Sequence, residues 1–214
     1  MNRSLTSALL AITLTLGCGG VAVAQAPKPK PAQIQAVDPW VAIYAAEARK
    51  DYATEVRLLR PLVAKGDAQA QYWLALSYDN GQGVAQDYKE AARLYGLAAA
   101  QGHVSAQYNL GFMYRNGQGV AQDYKEAVRL YRLAAAQGNA SAQYNLGTMY
   151  ELGTGVAQDY VRAHMWYNLG AISGDSKKAS TNRDSIAAKM TPAQIAEAQA
   201  MARKCQASNF KQCD

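Results

Sequence analysis

Apolar residues recur every three or four positions through most of the second and third quarters of the chain, which is the pattern of amphipathic helices. Ala106, Leu110 and Tyr114 form one such apolar stripe. A polar, glycine-rich break follows at residues 116–119, and a second apolar stripe begins after it. Glycine supplies the backbone conformations that end a helix, so the pattern predicts two helices joined by a turn.

This helical hairpin is repeated along the chain with a period of 36 residues. A degenerate copy at 38–69 comes first, since Asp51 and Tyr52 stand one period before Asp87 and Tyr88. The copies that align without a gap are residues 70–105, 106–141 and 142–177. One hairpin cannot bury its apolar face alone, and neighbouring hairpins must therefore stack. The sequence predicts an all-α, right-handed α/α solenoid of helical hairpins.

Polar residues at the predicted helix starts define the hairpins further. Asp123 is placed to cap a second helix, and Glu126 three residues later matches an Asp variant of the capping box. Asp67 and Asn139 are placed to cap first helices, whereas His103 breaks this pattern in one copy. These positions predict where each helix begins.

Small residues follow the leucine of each first helix, at Ala75, Gly111 and Gly147. We expect a neighbouring helix to approach closely there, because a larger side chain would separate the pair. All 14 tyrosines lie between Tyr44 and Tyr167, which sets this central block apart from both ends. Tyrosine offers a large apolar ring for packing between helices.

Residues 178–214 are predicted to form a helical cap that covers the last apolar face of the solenoid. Thr191, Pro192 and Gln194 have the pattern of a helix start with a capping box. Cys205 and Cys213 lie in this cap, and a disulfide between them is favoured over two free thiols if the chain is exported.

The first 24 residues have the pattern of a secretory signal, with a basic start, an apolar run and a small-x-small site before Ala24. We therefore expect cleavage after Ala24 and a periplasmic or secreted protein. Residues 25–37 are predicted to be an extended Pro/Lys linker. In a competing interpretation, Cys18 is the lipidated N-terminus of the mature protein. Membrane attachment is expected only in that case. Soluble export is favoured because the residues before Cys18 match a lipobox poorly.

The repeated pattern A-x-x-x-L-G-x-x-Y-x-x-G-x-G-V-x-x-D-x-x-x-A-x-x-x-Y resembles the Sel-one-like repeat, a relative of the tetratricopeptide repeat. The resemblance covers about residues 38–177, and the long G-x-G-V-x-x-D connector distinguishes the two families. It implies a non-enzymatic adaptor that holds a protein or peptide partner in a concave groove. Exported bacterial members of this type are linked to envelope assembly, signalling or host contact.

The resemblance also implies that the first helix of each hairpin lines the groove. We expect the tyrosines there to grip an extended peptide, the asparagines to bind its backbone and Arg115 to pair with an acidic residue. An alternative is that these tyrosines only pack between hairpins. The solvent-facing candidates are Tyr72, Trp73, Leu76, Tyr108, Asn109, Phe112, Arg115, Tyr144, Asn145 and Thr148.

Charge and composition limit the other classes of partner. The net charge is +6, yet residues 70–177 carry eight basic and eight acidic residues, so no basic stripe for nucleic acid is expected on the repeats. No metal site, cofactor or catalytic set is expected, since His103 and His164 are isolated. A monomer is expected.

An enzymatic alternative comes from cysteine-rich relatives that bind or hydrolyse β-lactams. Those relatives carry a cysteine pair in each repeat, whereas residues 38–177 contain no cysteine. The sequence therefore favours the scaffold over the enzyme.

Overall fold

A computed structural model describes residues 38–174, 177–211 and 213 of the chain. The predictions for the signal at 1–24 and the linker at 25–37 lie outside these residues. Within the described part the backbone forms ten α-helices and no β-strand. The helices are α1 (Pro39–Ala48), α2 (Tyr52–Ala64), α3 (Ala68–Asn80), α4 (Tyr88–Ala100), α5 (Val104–Asn116), α6 (Tyr124–Ala135), α7 (Ala140–Leu152), α8 (Tyr160–Gly174), α9 (Lys177–Ala187) and α10 (Pro192–Ala207).

From α1 to α9, consecutive helices pack against one another, whereas α10 packs against α8 rather than α9. The predicted hairpins correspond to α3–α4, α5–α6 and α7–α8. The α1–α2 hairpin precedes them, and α9–α10 follows as the predicted cap. This order of helices confirms the predicted all-α architecture, an α/α solenoid of consecutive 36-residue units. Of the helices described, none is both long and apolar enough to cross a membrane.

Asp123 caps α6, because its Oδ1 accepts hydrogen bonds from the backbone nitrogens of Lys125 and Glu126 at 2.9 and 3.1 Å. The predicted capping box is wrong in its second half. The Glu126 carboxylate instead accepts two hydrogen bonds from the Arg129 guanidinium, at 2.8 and 2.6 Å. The Glu126 carboxylate therefore binds the charged guanidinium one turn further along the helix in preference to the neutral backbone N–H of Asp123.

His103 caps α5, so the expectation that it breaks the capping pattern is wrong. Its Nδ1 accepts a hydrogen bond from the backbone nitrogen of Ala106 at 3.2 Å, and its Nε2 lies 3.1 Å from Gln69 Oε1. Nδ1 must be unprotonated to accept, so Nε2 carries the proton and donates it. The ring stacks on Tyr72 with 4.4 Å between centroids, and burial lowers the pKa of the imidazole.

The second glycine of each connector packs closely against the backbone of the preceding repeat. Gly119 has a φ of +68°, and a Cβ atom there would collide with the backbone carbonyl of Tyr88, the first residue of α4. Only glycine combines this conformation with so close an approach to backbone. Two equivalent contacts join Gly83 to Tyr52 and Gly155 to Tyr124.

The small residues of the first helices accommodate the buried tyrosines of the second helices, as predicted. A Cβ atom on Gly111 would lie 2.9 Å from Cε1 of Tyr131, and one on Gly147 would lie 2.5 Å from Cδ1 of Tyr167. Both tyrosine rings are fully buried. The glycines thus allow a large ring to lie directly on the first helix.

Paired glutamines join the first helix of a repeat to a residue just after its second helix. Two such hydrogen bonds, both of 2.8 Å, run from Gln101 Nε2 to Gln71 Oε1 and from Gln137 Nε2 to Gln107 Oε1. The series ends in the third repeat, where Ser173 stands one period after Gln137. The Oε1 atom of Gln143 accordingly has no hydrogen-bond partner among the described residues.

A capping box stabilises the start of α10 in the cap, and a disulfide follows near its end. The Thr191 Oγ1 accepts from the Gln194 nitrogen at 3.3 Å, and Gln194 Oε1 accepts from the Thr191 nitrogen at 2.9 Å. This reciprocal pair confirms the predicted capping box of α10. At the other end, a disulfide joins Cys205 to Cys213, with 4.5 Å between their Cα atoms. Both cysteines belong to the core cluster formed by α6, the last repeat and the cap.

Candidate functional site

The ten predicted groove residues all lie on α3, α5 and α7, the first helices of the three repeats. Within each helix they are spaced by one, three or four residues, which places them on one side. We call this side the helix-A face. It is made up of Tyr72, Trp73 and Leu76 on α3, Tyr108, Asn109, Phe112 and Arg115 on α5, and Tyr144, Asn145 and Thr148 on α7.

The repeated tyrosines of the helix-A face are half-buried. Each ring packs at a tilt against the fully buried tyrosine of the second helix in the same repeat. The centroid separations are 5.9 Å for Tyr72 with Tyr95, 5.9 Å for Tyr108 with Tyr131, and 5.7 Å for Tyr144 with Tyr167. Packing within the repeat therefore takes up much of each ring, while part of its surface remains accessible.

The hydroxyl groups of two buried tyrosines reach acidic residues near the ends of first helices. Tyr95 Oη donates to Asp79 Oδ2 at 3.2 Å, and Tyr167 Oη donates to Glu151 Oε2 at 2.7 Å. Burial raises the pKa of both phenols well above the ordinary value, and the nearby carboxylates raise it further. Both groups stay protonated and can donate throughout the physiological range.

Arg115 occupies the same register position as Asp79 and Glu151, 36 residues from each. A guanidinium has no lone pair to accept a hydrogen bond, and the buried hydroxyl of Tyr131 has no partner among the described residues. Arg115 itself forms no ion pair within that part of the chain. Burial raises the pKa of Tyr131, and the positive charge of nearby Arg115 opposes that effect, so Arg115 departs from the acidic pattern of its register while it remains close to the buried phenol. Sequence reasoning selected Arg115 but missed the two acids, which a comparison of register positions would have found.

The remaining groove candidates differ in exposure. Phe112 is 42% exposed, whereas Asn145 is only 7% exposed. The expectation that Asn145 faces the solvent is therefore wrong, because the neighbouring hairpin covers it. Trp73 is half-buried, and its ring meets that of Tyr44 edge-on at 5.9 Å.

Sequence reasoning also missed a buried acid in the α1–α2 hairpin. Glu55 is only 4% exposed, and it stands in register with Ala91, Ala127 and Ala163 of the three repeats. Those alanines are fully buried. The exchange of alanine for glutamate in one copy of four was the available signal.

No group of three or more His, Cys, Asp or Glu residues that could hold a metal ion is found in the described part of the chain. His164 is buried in α8, and its Nδ1 has no hydrogen-bond partner there. Burial, with Arg183 nearby, lowers the pKa of this imidazole. A neutral histidine surrounded by core residues is a packing residue rather than a ligand.

The stacked hairpins, the glycine connectors and the paired glutamines define an α/α solenoid protein. The family model described as "Sel1 repeat" matches the chain three times in succession, and the chain belongs to the Sel1 repeat family. The matched segments are 68–103, 104–139 and 140–175. Each match begins at or next to the first residue of a first helix and has the predicted length of 36 residues.

Several solved structures resemble the chain, including the following two. One is a Sel1 repeat protein from Oxalobacter formigenes, with 32% identity and a TM-score of 0.64 over 68% of this chain and 58% of that one. Another is c5321, described as a protective antigen present in uropathogenic Escherichia coli strains and displaying an SLR fold. It has 26% identity and a TM-score of 0.56 over 73% of this chain and 42% of that one. The match thus spans about half the length of these relatives. No match was found among curated proteins.

Proposed function

We propose that this chain is an exported, non-enzymatic scaffold that binds a peptide or protein segment along the helix-A face, in a concave groove, and serves in envelope assembly or regulation. Sel1 repeat solenoids generally act as protein-interaction scaffolds, and proteins of the family are typically non-enzymatic. The scaffold role and the lack of enzymatic activity are general properties of the family. The groove, the export and the envelope role are specific to this proposal.

The observation that carries the proposal is how the helix-A face divides between repeated and varied residues. The residues that recur, such as Tyr108 and Asn145, are half-buried or buried in the packing. Phe112 and Arg115 replace Leu76 and Asp79 of the preceding repeat; the ring of Phe112 is exposed, and Arg115 is half-buried. A charged side chain that departs from its register, beside an exposed aromatic ring, is typical of a binding surface.

Chemistry narrows the segment that would bind there. The exposed ring of Phe112 provides an apolar contact on α5, one helical turn before Arg115. The guanidinium can form two parallel hydrogen bonds to a carboxylate. We therefore expect the partner segment to present an apolar side chain next to an acidic one.

The proposal is tested by capture with the tagged chain from extracts of its own cells, in parallel with the double variant Phe112→Ala, Arg115→Ala. A matched control is Leu97→Ala, Leu133→Ala, which truncates two exposed side chains of the second helices. We expect one protein to be retained by the unmodified chain and the control and lost from the double variant. Equal retention by all three chains would refute the helix-A face as the binding surface.

Export is supported by the signal-like pattern of residues 1–24 and by the disulfide in the cap, because disulfides persist in oxidising compartments. Intact mass measurement of the protein from its own cells tests this part. We expect a chain that begins at Gln25. A mass that includes a diacylglycerol on Cys18 would establish a lipoprotein, and a chain that retains residues 1–24 would contradict export.

A further inference from the structure

A pocket of about 250 Å³ lies where the end of α1, the start of α2 and the second half of α3 meet. Small-molecule sites usually measure about 300–1,000 Å³, so this pocket suits a single side chain better than a whole ligand. Glu47 and Asn80, both exposed, stand at its border and leave it open to solvent. It adjoins the helix-A face, because Trp73 and Leu76 belong to both.

The pocket contains a buried carboxylate without a partner. Glu55 is 4% exposed, and its side chain has no hydrogen bond or ion pair to any described residue. Burial raises the pKa of its carboxyl group, and the like charge of Glu47 raises it further. Its carboxylate faces the pocket, and a charge in so enclosed a position is costly unless a countercharge is paired with it.

The other groups around Glu55 do not supply the missing charge. Glu47 on α1 is acidic, and Tyr52 on α2 is a phenol. Helix α3 contributes no charged residue to the pocket, since its polar members there are Trp73, Ser77 and Asn80. The pocket is therefore negative, with no cation from the described part of the chain.

The fold does not require this acid. Ala91, Ala127 and Ala163 occupy the same register position in the three repeats, and each is fully buried. The backbone of the second helix is thus built equally well with a methyl group there. The repeat architecture therefore does not explain why residue 55 is a glutamate.

Trp73 adds an aromatic wall to the acidic pocket. Its indole Nε1 is buried without a hydrogen-bond partner among the described residues, so one of its polar groups is also unmatched. A tryptophan face attracts cations, and carboxylates pair with them directly. An acid and an indole around one small cavity form a suitable environment for a basic side chain.

We propose that this pocket binds the side chain of a lysine or arginine from the partner segment, with Glu55 and Glu47 as the countercharges and Trp73 as the aromatic wall. The inference rests on the proposed function, since it assigns one residue of the segment bound along the helix-A face. Together with Arg115, it predicts a segment that carries a basic residue towards α1 and an acidic residue at α5.

The test uses the full chain and three small probes: N-acetyl-lysine amide, N-acetyl-arginine amide and the uncharged N-acetyl-norleucine amide. Binding is followed through the indole N–H signal of Trp73 in NMR titrations. We expect a basic probe to bind and norleucine amide not to bind. Glu55→Gln should raise the Kd at least about tenfold, as expected for loss of a charge-assisted hydrogen bond. Glu126→Gln, which removes an acid from an exposed ion pair elsewhere, should leave the Kd unchanged.

Glu55→Ala guards against a folding artefact, because alanine at this register position is compatible with the fold in three other places. It should remain helical and lose the basic probe as Glu55→Gln does. The proposal is overturned if neither basic probe binds, if norleucine amide binds equally well, or if both Glu55 variants keep the original Kd. The relative affinities of the two basic probes identify the preferred side chain.

The same variants separate this inference from the proposed function. Phe112→Ala, Arg115→Ala lies outside the pocket and should leave the Kd of the basic probe unchanged. If that double variant loses the captured partner while Glu55→Gln retains it at full affinity, the helix-A face is supported as the binding surface. The pocket is then refuted as the site of a basic side chain of the partner. If the probe depends on Glu55 while capture does not depend on Phe112 and Arg115, the pocket stands as a site and the groove assignment fails.

Discussion

The three matched repeats and the two ends of the solenoid are all built from pairs of consecutive helices, yet they use these helices differently. In the repeats, identical positions carry nearly identical contacts: a glycine on a backbone carbonyl, a tyrosine on a small residue and a glutamine on a glutamine. At the ends, α1–α2 carries a buried acid, and α9–α10 carries a disulfide. The interior is held by contacts that recur, and the ends are held or specialised by residues that occur once.

This difference shows where the chain can hold chemistry. A position that recurs is constrained by its neighbours on both sides, so a change there disturbs two interfaces. A position that departs from its register, such as Glu55 or Arg115, is not explained by the repeated contacts, and its side chain is available for a specific role. Departures from the repeat are therefore better guides to function than the repeat itself.

The largest expected effect comes from the contact that recurs between repeats. Gly119→Ala should destabilise the chain by about 3 kcal/mol or more, because the residue has a positive φ and its Cβ would strike the Tyr88 carbonyl. Gly96→Ala is the matched control within α4, where a Cβ meets nothing within 4 Å. It should stabilise the helix by about 0.5–1 kcal/mol. Urea unfolding of both variants measures the difference, and similar free energies for the two would contradict the proposed seating of the connector.

The second effect concerns the C-terminal end. Cys205→Ser with Cys213→Ser should lower the free energy of unfolding by about 2–3 kcal/mol, since the closed ring is short. Reduction of the unmodified chain should produce the same loss, whereas the double variant should not respond to reductant. Thermal unfolding with and without reductant tests this, and an unmodified chain that is insensitive to reduction would argue against the bond.

At the N-terminal end, Glu55→Ala makes the first hairpin resemble the repeats and should stabilise the chain by about 1–2 kcal/mol at neutral pH. The pKa of Glu55 is raised above its ordinary value of 4.5 in the folded chain, so the folded state binds the proton more tightly. The stability of the unmodified chain should then fall as pH rises from 4.5 through the raised pKa. The advantage of the variant should grow over that interval. A constant difference between pH 4 and pH 8 would show that the pKa of Glu55 is the same in the folded and unfolded chains, and would contradict the raised value.

The smallest expected change in stability concerns His103, which replaces the usual Asp or Asn cap of a first helix inside the repeats. His103→Asn gives α5 the cap that Asn139 gives α7, and it should change stability by about 0.5 kcal/mol at pH 8. The pKa of His103 is lowered from its ordinary value of 6.5, so its contribution is complete above pH 6.5 and is lost as pH falls towards the folded-state pKa. The unmodified chain should lose stability relative to the variant over that interval, as measured by urea unfolding at pH 5 and pH 8. Parallel pH profiles for the two chains would exclude the imidazole cap.

The repeat period, the hairpins and the α10 capping box could be predicted because each depends on residues close together in sequence. The capping role of His103 and the failed box at Glu126 could not, since both depend on which of several nearby partners a side chain selects. The burial of Asn145 and the pocket around Glu55 depend on contacts between hairpins. Such contacts follow from three-dimensional stacking, which a helical period alone does not specify.

The glycine connectors also bear on how such a chain changes over evolutionary time. Each joint between repeats uses the same pair of atoms, so an inserted or deleted unit of 36 residues restores the same joint on both sides. Unequal recombination between the nearly identical coding segments would lengthen or shorten the array without a misfit, whereas a gain or loss of a single residue would not. The number of repeats, and with it the length of partner that can be accommodated, is a quantity that selection can adjust in whole steps.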